Sequence, residues 1–359
     1  MTNKQKTILK AIAFFATGFT VLFLVYYKQN KEYLQELVTR GIDPEGKSLF
    51  LKILASFAEA KIFVLIVVLV CFMISNVSRA MRWQILIEPI RNKTSFINAI
   101  SSIMAAYLVN LGIPRSGEFV RAGLFSRYEK LPPEKVMGTI VTDRVVDVIC
   151  LMVVIGLACI FSFDDLYRYY ITVSADNPDA GSSLVFILLT LGTVIVLTTY
   201  FAYKFRVRLF KTVPGKKLLN LILGFAEGLK TVFLLRKPGQ FLFHSIVIWL
   251  MYYLMTYLSF FAIAPTSHLS PVAGLVVFVF GTLGFVFPAP GGIGSYQYLV
   301  TEALTNFYGL NIGDASSFAN IVFFAVTIFG NVFFGIISFI LLPIFNARYE
   351  PHIQDEPGR

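Results

Sequence analysis

The chain has 359 residues, of which 56% are hydrophobic and 14% charged, and its formal net charge is +10. That balance excludes an ordinary soluble domain and points to an integral membrane protein of all-α class. The basic residues flank apolar segments, as cytoplasmic loops do, so the positive charge implies no nucleic-acid partner.

A membrane-spanning helix needs about 20 apolar residues. In chain order, the runs of that kind are 8–27, 62–80, 145–163, 184–203, 241–264 and 318–345. The first follows Lys4, Lys6 and Lys10. It is too long for the core of a signal peptide and no small-residue cleavage site follows, so it is expected to be a retained span. Segment 28–59 mixes both signs of charge and reads as a loop.

Two further apolar stretches are interrupted. Residues 96–113 end in Asn110-Leu111-Gly112-Ile113-Pro114-Arg115-Ser116-Gly117-Glu118. Residues 271–287 end in Pro288-Ala289-Pro290-Gly291-Gly292-Ile293-Gly294-Ser295, and a helical pattern resumes over 296–308. Proline removes a helix donor and glycine opens other backbone conformations, which makes Pro114, Gly117, Pro288, Pro290, Gly291, Gly292 and Gly294 the break residues. Each stretch reads as an arm of a re-entrant hairpin. Non-helical backbone at membrane depth survives only when buried in protein or lining a cavity. A matched pair of broken segments in the two halves of a chain points to a transporter's binding site.

The expected architecture is one transmembrane domain over 1–359, a polytopic helical bundle of about 6–8 spans with two re-entrant hairpins. Its halves are about 1–163 and 184–345. Residues 216–236, with Lys217, Glu227 and Lys230 on one face, suit an interfacial amphipathic helix.

Lysine and arginine placement sets orientation. The basic N-terminus and the basic segments 79–135 and 204–237 are expected in the cytoplasm. Segment 164–181 carries Asp164, Asp165, Asp176 and Asp179 against Arg168 and is expected outside, as is the loop around Asp314. Both termini then lie in the cytoplasm of a multi-pass cell-membrane protein. The assignment closes only if the two hairpins enter from opposite sides, as an inverted-topology repeat requires.

Four constellations carry chemistry. Arg79 and Arg82 share a helix face beside Trp83; Arg82 suits a phosphate, while Arg79 reads as a boundary anchor. Glu118 and Arg121, three apart, are spaced to pair on a helix capped by Ser116, whose N-terminus with Arg115 would attract an anion. Asp143, Arg144 and Asp147 crowd the start of an apolar run, where charge is costly and faces a cavity or a partner. Gln297 and Glu302 project from the helix after the second break, which Ser295 is placed to cap; Glu302, with no basic residue close in sequence, suits a substrate-facing or proton-coupled carboxylate. Asn320, Thr327, Asn331 and Ser338 recur near one face of the last run and read as helix–helix glue.

Cys71, Cys150 and Cys159 sit in apolar runs without metal-ligand spacing, and no nucleotide-binding motif is present. No metal and no cofactor is therefore expected, and transport would be gradient-driven or passive.

Arg79-x-x-Arg82-Trp83, the stretch from Asn110 to Glu118 with Arg121, Asp143-Arg144-x-x-Asp147 and Pro288-x-Pro290-Gly291-Gly292-Ile293-Gly294 together resemble the lysylphosphatidylglycerol synthase transmembrane region, also called the flippase-like family. The resemblance covers nearly the whole chain, and Asp143 stands where the family often has Glu. It implies a membrane domain that moves a lipid between leaflets. In the full-length synthases a soluble aminoacyl-transfer domain follows; the end of this chain at Arg359 argues against its making aminoacylated lipid itself.

The favoured expectation is a transporter of an anionic phospholipid or a polyprenyl-phosphate-linked lipid. The headgroup would enter between the hairpins with its tails left in lipid. Arg82, Arg115, Arg121 and Arg144 would attract phosphate; Glu118, Asp147 and Glu302 would position them or carry a proton. An intramembrane enzyme using Asp143 and Asp147, or an accessory subunit of a synthase, is the alternative. The partners are membrane lipids; a separate lipid-modifying enzyme and a second copy of the chain stay open.

Overall fold

A computed structural model describes residues 3–113, 116–164, 167, 171, 235–286 and 290–349. The expected run 184–203, nearly all of 216–236, most of the acidic segment 164–181, and Pro114, Arg115 and Pro288 lie outside the described residues.

Every regular element described is helical. They are α1 (Asn3–Thr39), α2 (Leu49–Glu59), α3 (Ile62–Ile87), α4 (Phe96–Gly112), α5 (Gly117–Glu129), α6 (Pro133–Phe161), α7 (Pro238–Ser259), α8 (Pro271–Val286), α9 (Ser295–Tyr308) and α10 (Ile312–Val322). A π-helical segment, Phe323–Gly330, joins α10 to α11 (Asn331–Asn346). Four stretches are long and apolar enough to cross a membrane: Ile62–Ile87, Pro133–Phe161, Pro238–Ala262 and Ile312–Asn346. The chain thus forms the polytopic helical bundle that its composition requires.

The third of the expected runs, 145–163, starts too late. The helix begins at Pro133, whose fixed φ suits the first turn, and carries Asp143, Arg144 and Asp147 inside it. A hydropathy window stops at charges; a helix does not, provided the charges find partners. Segment 28–59 differs from its expectation as a loop. Helix α1 runs on to Thr39, supported by i,i+4 pairs Lys28–Glu32 (3.6 Å) and Glu36–Arg40 (2.6 Å). Gln29, Tyr33 and Leu37, four apart, bury one face of it.

The order span, short-helix hairpin, span occurs twice. It is α3, α4–α5, α6 in the first half, and α7, α8–α9, α10–α11 in the second. Helices α3 and α7 lie side by side at the centre. At one end, the Lys61 N–H donates to the Ala262 carbonyl (2.9 Å), and the Tyr253 hydroxyl donates to the Pro271 carbonyl (3.0 Å). At the other, Lys237 pairs with Glu88 (3.3 Å) and the Gln84 amide donates to the Thr94 carbonyl (2.8 Å). The second hairpin therefore starts at the first end and the first hairpin at the second. Their tips meet between: a Cβ on Gly291 would lie 3.1 Å from the Leu111 side chain. Each hairpin also packs on the closing span of the other half, α4 on α11 and α8 on α6.

The tips are stapled by side chains other than those expected. Ser116 does not cap α5; its hydroxyl donates to the Ile113 carbonyl. Asn110 of the preceding helix accepts the Gly117 N–H instead (2.8 Å). Gly117 has no room for a side chain, since a Cβ would lie 2.3 Å from the Ala106 carbonyl, and this contact closes α5 onto α4. Ser295 likewise does not cap α9: its hydroxyl donates to the Gly284 carbonyl (2.6 Å), tying the two arms together.

Candidate functional site

The arginines of α3 meet the carboxylates of α6. Arg79 and Arg82 share a face through their three-residue spacing, and Asp143 and Asp147 share one through their spacing of four. Arg82 Nη2 lies 2.6 Å from Asp143 and 2.7 Å from Asp147. Arg79 Nη1 lies 2.8 Å from Asp147 and 3.3 Å from Asp143. From α5, Arg121 reaches Asp143 at 3.2 Å and lies 3.8 Å over the Trp83 ring, a cation–π contact. Helix α7 supplies Ser245, which accepts from Arg82 (3.3 Å), and Tyr252, which accepts from Arg79 (3.1 Å). The Trp83 indole donates to the Thr139 hydroxyl (2.9 Å), fixing the ring under Arg121.

Asp143 is fully buried and contacts three guanidinium groups. Such a charge is tolerable inside a bundle only when its partners arrive with it. Arg144 faces outward from this core. Its Nε pairs with Glu118 Oε1 (2.8 Å) and its Nη1 lies 3.6 Å from Asp147. The spacing of Glu118 and Arg121 suggested that they pair with each other; the structure sends them to Arg144 and Asp143 instead. Four arginines stand against three carboxylates, so the cluster keeps one positive charge.

Beside the cluster lies a cavity of about 570 Å³. Arg79, Glu118, Arg144 and Asp147 line one wall; Tyr107, Asn110 and Leu111 come from the first hairpin, and Gly291 and Gly292 from the second. Tyr252, Thr327 and Asn331 complete its polar lining. Trp249 Nε1 and Asn331 Oδ1, both on this wall, make no hydrogen bond among the described residues. Val148 and Val286, also in its lining, are 52% and 60% exposed. A cavity with a charged wall and an otherwise largely apolar lining suits a ligand with a charged head and a hydrocarbon body.

The residues singled out from the sequence divide among three places. Glu118, Arg144 and Asp147 line the cavity, while Arg82 and Arg121 stand behind its wall, holding the aspartates. Gln297 and Glu302 stand elsewhere. Gln297 accepts the Gly294 N–H (2.8 Å) and orders the second break; Glu302 pairs with Lys28 (3.5 Å) and accepts from Asn306 (2.8 Å). Lys28 is remote from Glu302 in sequence, which is why Glu302 looks unaccompanied there. Gly291 and Gly292 line the cavity, Gly117 and Gly294 shape its hairpins, and Pro290 lies in the short 3-10 turn Pro290–Gly292. Sequence reasoning missed Arg79, Tyr107 and Tyr252 as cavity residues. Tyr107 and Tyr252 sit among apolar residues with no pattern to distinguish them from packing aromatics. Among the described residues, no group of three or more histidine, cysteine or acidic side chains is placed to hold a metal ion.

The family model described as the lysylphosphatidylglycerol synthase TM region matches residues 43–338. No curated protein and no solved structure matches the chain.

Proposed function

The chain belongs to the lysylphosphatidylglycerol synthase TM region family, a membrane-embedded family, and from that premise we propose that it moves an anionic lipid between leaflets. The observation that carries the reading is the cavity where the two opposed hairpins meet, walled by a charge cluster with one surplus positive charge. A phosphate of an anionic phospholipid or of a polyprenyl-phosphate-linked lipid would take its hydrogen bonds from Arg144 and Arg79, since guanidinium matches phosphate oxygens in pairs. Glu118 and Asp147 hold the two arginines in place between visits. Backbone at the tips is non-helical, as in transporters whose site lies at the meeting of two repeats. The enzyme alternative needs Asp143 and Asp147 as a reacting pair, yet both are engaged by Arg79 and Arg82.

The test is translocation in proteoliposomes of fluorescent phosphatidylglycerol against fluorescent phosphatidylcholine. The anionic probe is expected to cross faster than in protein-free vesicles and faster than the zwitterionic one. Equal rates in vesicles with and without protein would remove the reading. The variant Arg144→Ala separates function from folding. Its pair with Glu118 is 38% exposed on each side, so the stability cost is under about 1 kcal/mol. Translocation of the anionic probe should fall by about tenfold or more, as loss of one charge-assisted hydrogen bond to phosphate implies. An unchanged rate would leave Arg144 a boundary residue.

The same proposal places both termini in the cytoplasm. Single cysteines at Lys130, at the base of the first hairpin, and Ser270, at the base of the second, are exposed positions. In a background without the native cysteines, an impermeant thiol reagent should label Lys130→Cys only from the cytoplasm and Ser270→Cys only from outside. Labelling of both from one side would contradict opposed entry.

A further inference from the structure

A second, mostly apolar chamber of about 220 Å³ adjoins the first cavity. The two share Phe72, Tyr252, Thr282, Phe285, Val326 and Thr327 in their walls, so they lie against one another. The far wall is aromatic. Phe285, Tyr296 and Phe323 pack with ring centroids 5.2 Å, 5.5 Å and 6.2 Å apart. One of its three threonines, Thr282, donates its hydroxyl to the Phe278 carbonyl (2.8 Å). At the junction, the Tyr252 hydroxyl faces Arg79 and its ring faces the chamber, so this one side chain changes the character of the wall from charged to apolar.

The π-helical segment contributes Phe323, Val326 and Thr327 to this space. A stretch of eight π-helical residues is rare, and such segments cluster at functional sites because they re-aim side chains that a regular helix would direct elsewhere.

We infer that the chamber is a tail subsite, holding the head-proximal segment of one hydrocarbon chain of the same anionic lipid whose phosphate lies at Arg79 and Arg144. The inference rests on the anion-site reading and deepens it, replacing the expectation that the tails stay wholly in lipid. The occupant is argued from adjacency: a chain attached to a head beside Arg79 and Arg144 has the aromatic chamber as its nearest apolar neighbour, across walls that the two cavities share. A water takes about 30 Å³ of liquid and a methylene roughly as much, so the chamber accommodates on the order of seven to eight carbons.

The test reads binding rather than transport. Ethyl, butyl, hexyl and octyl phosphate are measured by equilibrium dialysis against the full chain in nanodiscs of zwitterionic lipid, with empty discs subtracted. Affinity should rise about two- to fourfold per added methylene up to about eight carbons, as burial of each methylene implies. Val322→Trp, which fills the chamber from its far side, should flatten that rise. Phe323→Ala, which enlarges it, should carry the rise past eight carbons, and keeps the test decisive if the tryptophan variant does not fold. A flat series in the parent protein, with ethyl phosphate still binding, would overturn the tail subsite and leave the anion site standing. A rise of equal slope in Val322→Trp would overturn it too. Failure of every alkyl phosphate to bind would overturn the anion site and the tail subsite together.

Discussion

Asp143→Ala is expected to cost about 3–5 kcal/mol, a large share of the roughly 5–15 kcal/mol by which an ordinary protein is stable. The carboxylate is fully buried, and Arg79, Arg82 and Arg121 all direct a guanidinium at it from two other helices. Removing it leaves three buried cations with only Asp147 to share between Arg79 and Arg82, and nothing for Arg121 but the Trp83 ring. The packing of α3 and α5 against α6 then works against charge repulsion. Glu118→Ala is the control. It removes a carboxylate from the same cluster, but one whose side chain is 38% exposed, and should cost under about 1 kcal/mol. Thermal unfolding in mild detergent, read from intrinsic fluorescence and from retention of a monodisperse peak, compares the two. Indistinguishable melting of Asp143→Ala and the parent would show that the arginines find water or other partners, and that the cluster is not a folding element.

Replacing Gly291, Gly292 and Gly294 together by leucine is expected to abolish lipid movement while the protein still reaches the membrane. The three have φ of 54°, 77° and 85°, in the left-handed region that costs other residues roughly 1–2 kcal/mol each. Gly292 carries a second constraint, since a Cβ there would lie 2.5 Å from the Phe285 ring. Leucines would push the second tip away from Leu111 and fill the cavity from its own floor. Insertion should survive because the flanking spans have their own apolar runs. Membrane extraction and the fluorescent-phosphatidylglycerol assay read the two effects separately. A triple variant that inserts and moves lipid at the parent's rate would mean that the tip meets no substrate.

The breaks were legible because proline and glycine interrupt apolar runs visibly, and both fall at hairpin tips. The charge cluster was half legible. Three charges in five residues at 143–147 announced a partner, but nothing in the local spacing said that the partner was Arg79, which by itself looks like any arginine at a membrane boundary. Periodicity reports which residues share one helix face; it does not report which faces meet 60 or more residues apart. The same limit explains the caps. Ser116 and Ser295 stand where a cap is expected by local rules, but Asn110 and the Gly284 carbonyl are brought to them by hairpin closure and change the outcome. Lys28 and Glu302 are a third instance, an ion pair between the first helix and the ninth.

The separation of the two sides of the cluster along the chain has a consequence for how the protein is made. Arg79 and Arg82 lie 61 to 68 residues before the aspartates that neutralise them. At synthesis rates of roughly 5–20 residues per second, α3 waits about 3 to 14 s for its counter-ions. During that interval the two arginines, in the last third of α3, lack their counter-ions; at the centre of a span, the costliest depth, each would cost on the order of 2.5–3.5 kcal/mol at the translocon. The expected course is that α3 stays shallow, with its arginines toward water, until α6 emerges, so that the distance between opposite charges along the chain sets when the two helices can settle together.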